Sequence, residues 1–262
     1  MIDFSSLPKK YASEYDRNLA IENWVNSLPD NFVFSKAERE FAQLYSGKGQ
    51  EFSKDNKLIA EGLYEFYTPD YLKRKMWELA GIYGYDGGPI LEPSCSTGHF
   101  FDMAPDNAKK VGVELNPLTA KIARLSFPNA AIHNIYFEQL FLDNSRNRWN
   151  KLLKGKTTWI EEYPFSLVIG NPPYGKHYNL YSGFFKNHYQ VEIFFLIKCL
   201  ELLKSGGVLV FLTSSNWLRN GDMYNDLKKQ VLSMATLVDA YRMPKVFKRS
   251  AVPTDILVYK KK

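Results

Sequence analysis

The chain has 262 residues, of which 45% are apolar and 15% aromatic, and its formal net charge is +6 at pH 7. This length and apolar content exclude a wholly disordered protein and predict one large domain, or one domain with an appendage. Because there is no apolar run of about 18 residues and no apolar leader, we expect a cytoplasmic protein without a membrane span. The positive charge favours a polyanionic partner such as nucleic acid.

The cysteines and histidines give no sign of a metal centre. Cys95 and Cys199 lie far apart and belong to no CxxC pattern, and the histidines form no closely spaced pair. This spacing argues against a zinc site and against a disulfide scaffold. We therefore expect no metal ion and a reducing compartment.

Residues 1–62 are predicted to form a helical extension. Apolar and aromatic residues recur at helical spacing before Pro29, and Ser35-Lys36-Ala37-Glu38 has the pattern of a capping box that opens a second helix. Because no cofactor motif occurs here, we expect this extension to cover a flank of a main domain over residues 63–262.

A third helix is predicted to begin in the segment Phe66-Tyr67-Thr68-Pro69-Asp70 and to end at Gly81. Thr68 is the expected N-cap, and Pro69 the expected first helical residue. The unpaired N–H groups of such a helix start can hold a carboxylate. An ordinary helix cap explains the same residues, so both interpretations stay open here.

Residues 89–93 predict a short buried strand, followed by a turn of small residues. A strand that runs into such a turn and then a helix is the place where an open α/β sheet binds a nucleotide-like ligand. Gly98 allows the main chain to approach this ligand closely. Glu92, at the carboxyl end of the strand, adds a negative charge that suits a ligand with an ammonium or sulfonium group.

Residues 110–114 predict a second strand that ends in Glu114, an acid placed to bind both hydroxyls of a ribose. Asn116-Pro117 predicts the start of the next helix. A third strand is predicted over residues 130–135. Glu138 follows it and either reaches an adenine amino group or lies at the surface.

The apolar run of residues 165–170 stops in a polar and aromatic turn, Asn171-Pro172-Pro173-Tyr174. The run is short and bounded by Pro164 and Gly170, which predicts a buried strand. Two prolines stiffen the turn and remove two N–H donors. The Asn171 amide and the turn carbonyls can accept hydrogen bonds from a planar amino group, while Tyr174 stacks on the ring that carries it.

The remaining segments predict two loops and the end of a sheet. Residues 141–163 and 175–189 combine basic and aromatic side chains, which suits nucleic-acid contacts, although a solvated loop explains the first segment nearly as well. We expect the second loop to close over a bound base. A helix is predicted over residues 191–204 and a strand over 208–212. Residues 236–241 and 254–259 predict an antiparallel hairpin that completes a parallel sheet.

With these motifs in order, residues 63–260 resemble the S-adenosylmethionine-dependent adenine-N6 DNA methyltransferases in which the cofactor motif precedes NPPY. The resemblance implies a Rossmann-like α/β methyltransferase fold. Its sheet is mainly parallel and seven-stranded, with an antiparallel last strand and helices on both faces. Residues 45–49 and 66–69 are also similar to the methylase portion of large phage or mobile-element methylase–helicase proteins.

The resemblance also implies a role for each motif residue. Tyr67, Thr68 and Pro69 contact the methionine carboxylate, and Glu92 lies near the methionine ammonium. The remaining residues with an implied role toward the cofactor are Pro93, Ser94, Gly98, Phe100, Glu114, Leu115, Glu138 and Asn171. Among these, Glu114 is the ribose acid, Glu138 lies beside the adenine, and Phe100 packs on the cofactor. The implied catalytic residues are Asn171, Pro172, Pro173 and Tyr174.

Methyl transfer to the N6 amino group of an adenine flipped out of DNA is therefore the leading hypothesis. The same turn also suits an RNA adenine or a glutamine amide of a protein. A third hypothesis is a non-catalytic nucleic-acid-binding subunit. It is suggested by Ser96, which stands where the family usually has glycine and costs about 1 kcal/mol if its φ is positive. Since the sequence ends soon after the last predicted strand, we expect a separate domain or subunit to recognise the target.

Overall fold

The computed structural model describes residues 1–47, 51–52, 58–60, 67–141, 164–175, 190–219, 224–247 and 252–262. Within these ranges the helices are α1 (Glu14–Ser27), α2 (Lys36–Ala42), α3 (Asp70–Ile82), α4 (Pro117–Ser126), α5 (Val191–Leu202) and α6 (Asn225–Met234). The strands are β1 (Glu51–Phe52), β2 (Leu58–Ala60), β3 (Ile90–Glu92), β4 (Lys110–Val113), β5 (Ala131–His133), β6 (Phe165–Gly170), β7 (Leu203–Ser214), β8 (Ala235–Arg242) and β9 (Thr254–Lys261). No helix in these ranges has both the length and the apolar character needed to cross a membrane.

A mixed sheet of seven strands organises the chain, in the order β5-β4-β3-β6-β7-β9-β8. The neighbours from β5 to β7 pair in parallel, whereas β9 is antiparallel to both β7 and β8. The chain runs outward from β3 to β5 and then returns to the other side of β3 as β6. The strand order therefore reverses between β3 and β6, which is where open α/β sheets bind ligands at the carboxyl ends of the strands.

Apolar clusters cover both faces of this sheet. On one face α5 and α6 pack against side chains such as Leu91, Val168 and Leu209. On the other face α3 packs against a second set that includes Ile90 and Leu167. Adjacent residues of one strand point to opposite faces, so strands buried on both sides read as continuous apolar runs. This explains why β6 is buried at every position.

The N-terminal helices form a third cluster against α4. Trp24 and Ala42 are buried together with Ile122 and Leu125. The predicted capping box at the start of α2 is present, with Ser35 and Glu38 each bonded to the other's main-chain N–H. The prediction that residues 1 to about 60 are helical is wrong at its end, because β1 and β2 pair as a short antiparallel sheet.

Several boundaries differ from the sequence prediction. Helix α3 begins at Asp70 with Pro69 at the N-cap position, so Thr68 is not the cap. The reason is that the Pro69 carbonyl accepts the N–H groups of Leu72 and Lys73, the first bonds of the helix. Helix α5 ends at Leu202 because β7 begins at Leu203, which pairs with Phe165.

Candidate active site

The turn that follows β6 is supported by the centre of the sheet. β6 lies between β3 and β7, and all six of its residues are buried. Asn171 follows at the carboxyl end, partly exposed, while Pro172 is buried and Pro173 is exposed. A fully buried strand with neighbours on both sides gives this turn a rigid base, as the apolar run predicts.

Tyr174 is held by its hydroxyl group. The hydroxyl lies 3.0 Å from the main-chain carbonyl oxygen of Leu212 and is also hydrogen-bonded to Oδ1 of Asn171. Burial raises the pKa of Tyr174 far above its usual value, and the negative charge of Glu192 adds to this. The group therefore stays a phenol that can donate. The motif predicts only the stacking role of the ring, and the anchor at Leu212 was not predicted.

Glu192, at the start of α5, ties the end of the same turn to β7. Its carboxylate is buried and accepts the N–H of Gly175 at 3.1 Å and the hydroxyl of Ser214 at 2.8 Å. This joins the turn, the helix and the strand that flank the candidate site. Sequence reasoning missed Glu192, since an acid in the first turn of a helix reads as an ordinary helix start.

The small-residue turn after β3 lies beside the turn after β6. Ser94 Oγ donates to the main-chain oxygen of Asn171 at 3.3 Å, so the two predicted motifs meet. Gly98 has φ of 83°, and a Cβ atom there would lie 2.8 Å from the ring of Phe127. Ser96 has φ of 47°, and it is the non-glycine residue with positive φ in the described ranges.

Glu114 is buried immediately after β4, and the chain itself orients its carboxylate. Oε2 accepts the N–H of Ser96 at 2.8 Å, and Oε1 accepts the N–H of Asn116 at 2.7 Å. The side-chain amide of Asn134 donates to the carbonyl oxygens of Glu114 and Leu115 at 2.8 and 2.9 Å. Asn134 falls inside the predicted third strand, so its bridging role was not predicted.

Glu92, the last residue of β3, is an orphaned buried carboxylate. Only 2% of the residue is exposed, and Oε2 has no hydrogen-bond partner within the described ranges. Burial raises the pKa of Glu92 well above its usual range, opposed by the positive charge of Lys73 and assisted by the negative charge of Glu114. A ligand ammonium would supply both the missing charge and the missing donor, so these residues suit the amino-acid end of S-adenosylmethionine.

The other predicted cofactor residues surround the same edge of the sheet. Tyr67, Thr68 and Pro69 are partly buried just before α3, and Pro93 is buried after β3. Phe100 is buried, and its carbonyl oxygen accepts the indole N–H of Trp77 at 3.0 Å.

Glu138 is buried in a short 3-10 helix after β5 rather than exposed, which excludes the surface alternative. In the described part of the chain, no group of three or more His, Cys, Asp or Glu side chains is arranged to hold a metal ion. The predicted nucleic-acid loops fall almost wholly outside the described residues, at 142–163 and 176–189.

A polar contact links α2 with the turn after β3. The side-chain amide of Gln43 donates to Asp102 at 3.2 Å, and the main-chain carbonyl oxygen of Gln43 lies 2.9 Å from Nε2 of His99. The ring of His99 in turn packs edge-on against that of Tyr67, with centroids 6.1 Å apart. The N-terminal helices thus touch the segment that follows Gly98, a contact between distant residues that no local pattern predicts.

Comparison with known proteins gives a family match over the centre of the chain. The model of the family described as Eco57I restriction-modification methylase matches residues 109–247. Over 250 residues the chain is 24% identical to Defense against restriction protein B of Escherichia phage P1, covering 90% of this chain and 10% of that protein. Over 137 residues it is 30% identical to Type II methyltransferase M.CvrRI of Paramecium bursaria Chlorella virus XZ-6E, covering 50% of this chain and 30% of that protein. The chain therefore spans less than a third of the length of either relative.

A solved structure establishes the fold. A protein from Listeria monocytogenes, assigned to the class I S-adenosylmethionine-dependent methyltransferases, has a TM-score of 0.60 and 16% identity, covering 94% of this chain and 79% of that one. This confirms the predicted Rossmann-like fold, with its seven-stranded, mainly parallel sheet, the antiparallel last strand β9, and helices on both faces.

Proposed function

Since the chain belongs to the Eco57I restriction-modification methylase family, whose cofactor is S-adenosylmethionine, we propose that it methylates the exocyclic N6 amino group of adenine in DNA. The observation that carries this proposal is the meeting of two turns at one edge of the sheet, where Ser94 Oγ donates to the main-chain oxygen of Asn171. One turn leads from an orphaned carboxylate, Glu92, and the other carries the NPPY residues. This contact supports neighbouring sites for a methyl donor and a methyl acceptor.

In this proposal Asn171 and Pro172 hold the amino group. S-adenosylmethionine, when bound, supplies a methyl group already activated on a sulfonium sulfur. The Asn171 side-chain oxygen and the Pro172 carbonyl accept the two amino hydrogens, which directs the nitrogen lone pair toward the methyl carbon. With the amino group held in this way, its nitrogen would be placed to accept the methyl group that the cofactor supplies, and the proton displaced from the nitrogen would leave to water. Alignment and exclusion of water, rather than a strong base, carry the catalysis.

Tyr174 holds the ring that bears this amino group. A base flipped out of the duplex stacks on the aromatic ring, a contact worth about 1–3 kcal/mol. The hydroxyl bond to the Leu212 carbonyl fixes the ring plane before the base arrives. Because the ring is already oriented, less conformational entropy is lost when the base binds.

We also propose how the chain divides and what else it needs. Residues 63–262 form the methyltransferase domain, and residues 1–62 form an extension whose helices pack on α4. A separate domain or subunit selects the target sequence. The length of the relatives, of which this chain covers 10% and 30%, supports this second point.

The substrate is tested by incubating the purified chain with methyl-labelled S-adenosylmethionine and, separately, with DNA, RNA and a protein extract. We expect label in DNA, and N6-methyldeoxyadenosine after enzymatic digestion to nucleosides. Label in RNA or in protein alone would overturn the DNA assignment, and labelled N4-methylcytosine would overturn the adenine assignment. Absence of label with every substrate, together with no measurable cofactor binding, would favour the non-catalytic subunit.

A further inference from the structure

Lys73 is buried in the first turn of α3. Only 3% of its side chain is exposed, although lysine is among the residues least often buried in proteins. Its Nζ lies 2.8 Å from Oδ1 of Asp70, whose side chain is 75% exposed. Because Asp70 stays in water, its ion pair with Lys73 does not by itself explain why the Lys73 side chain is buried.

Contacts of α3 show which way Lys73 faces. Trp77 lies one turn further along the same face of the helix, and its indole N–H donates to the carbonyl oxygen of Phe100. This face of α3 therefore lies against the turn that follows β3. The pKa of Asp70 is lowered mainly by its bond to Lys73. The start of α3 thus belongs to a helix that contacts the segment after Gly98.

Lys73 also acts on the orphaned carboxylate at the end of β3. Its positive charge lowers the pKa of Glu92, against the larger effect of burial, which raises it. Lys73 and Glu92 are both buried, and Glu92 Oε2 has no hydrogen-bond partner within the described ranges. Such a pair suits a ligand that itself carries both charges on neighbouring atoms.

The amino-acid end of S-adenosylmethionine carries an ammonium and a carboxylate on one carbon atom. In the proposed function, the Glu92 carboxylate binds the ammonium. The residues expected to contact the carboxylate, Tyr67, Thr68 and Pro69, carry no positive charge. We propose that Lys73 binds the methionine carboxylate and so makes the pocket select cofactors that carry this group. The inference rests on the cofactor part of the proposed function and not on the identity of the methylated base.

The test compares two ligands by isothermal titration calorimetry on the full chain: S-adenosylmethionine and its decarboxylated analogue, which keeps the amine but lacks the carboxylate. In Lys73→Met, which keeps the length of the side chain, we expect affinity for S-adenosylmethionine to fall at least about tenfold more than affinity for the analogue. Lys73→Arg should restore the preference for the carboxylate. Lys75→Met is the matched control, because Lys75 lies on the same helix and pairs with Glu78 at the surface.

Equal losses for the two ligands in Lys73→Met would overturn the proposal, since they would make Lys73 only a counter-charge for Glu92. Unchanged affinity for both would overturn it as well. If Lys73→Met does not fold, Lys73→Gln takes its place in the same comparison, and the same difference between the two ligands is expected. The readout of this test is cofactor binding. A chain that binds the cofactor but methylates no DNA would therefore refute the proposed substrate without affecting the proposed role of Lys73.

Discussion

The two turns at the edge of the sheet differ in what holds them. After β6, side chains from other elements fix the turn: the Tyr174 hydroxyl bonds to the Leu212 carbonyl, and Glu192 accepts the N–H of Gly175. After β3, the last strand residue keeps a buried carboxylate oxygen with no partner among the described residues, and Ser96 adopts a left-handed conformation. One turn is preorganised by the protein, whereas the other is electrostatically incomplete.

Because of this difference, we expect one turn to align the reacting group and the other to bind the cofactor. A preorganised turn suits the alignment of a reacting group, because no reorganisation is needed when the reaction occurs. A buried unpaired charge costs folding free energy that a ligand of opposite charge can recover. We therefore expect changes in the turn after β6 to act on the rate of methyl transfer, and changes in the turn after β3 to act on cofactor affinity and on pH dependence.

The largest effect is expected for Asn171→Ala. Removal of one preorganised hydrogen-bonding group lowers kcat by about 100-fold to 1000-fold, while the cofactor pocket beside Glu92 stays intact. Single-turnover methylation rates and calorimetric cofactor affinities measure the two effects. Asn107→Ala, at an exposed position, is the control. A variant that loses cofactor affinity and rate in equal measure would break the distinction between the turns.

Glu192→Ala tests whether the turn after β6 owes its rigidity to a distant side chain. The change leaves the Gly175 N–H and the Ser214 hydroxyl without their acceptor. We expect the free energy of unfolding to fall by about 3–6 kcal/mol, since two hydrogen bonds to a charged group are lost and each is worth about 1.5–3 kcal/mol. Chemical denaturation measures it. Glu201→Ala is the matched control on α5, because its carboxylate is partly exposed and makes one ion pair, with Lys198 on the same helix.

Glu92→Gln tests the turn after β3. Loss of one charge-assisted hydrogen bond, worth about 1.5–3 kcal/mol, should weaken cofactor binding about 10-fold to 100-fold, as measured by calorimetry. Glu78→Gln, on the surface of α3, should leave cofactor affinity unchanged.

The same variant should change the pH dependence of folding. The pKa of Glu92 is higher in the folded chain than in the unfolded one, because the folded chain buries the group. Between those two pKa values the folded chain holds more protons, so the stability of the ligand-free protein falls as pH rises through that interval. Denaturation at a series of pH values above 4.5, the ordinary pKa of the group, should show this fall in wild type and a smaller one in Glu92→Gln. If stability depends on pH equally in the two proteins, folding does not raise the pKa of Glu92.

The strand ends could be predicted because their signal is local. Residues 165–170 form a continuous apolar run that ends in a polar turn, Glu92 is the last residue of a short apolar strand, and Glu114 follows another such strand. The contacts between distant elements could not be predicted from the sequence. Glu192 bonds to Ser214 across 22 residues, and helical spacing alone does not show that Lys73 is buried. Thr68 was misassigned because the following proline takes the N-cap position itself.

Ser96→Gly should give the smallest effect and separates backbone strain from electrostatics in the turn after β3. Ser96 has φ of 47°, where a side chain costs about 1 kcal/mol that glycine does not pay. Glycine also loses more entropy on folding, so we expect a net gain of about 0.5 kcal/mol in the free energy of unfolding. Ser96→Ala keeps the strain and removes only the hydroxyl, so it should not be stabilised. If the alanine and glycine variants unfold at the same denaturant concentration, the hydroxyl and not the backbone decides the cost, and the bond from the Ser96 N–H to Glu114 is made without strain.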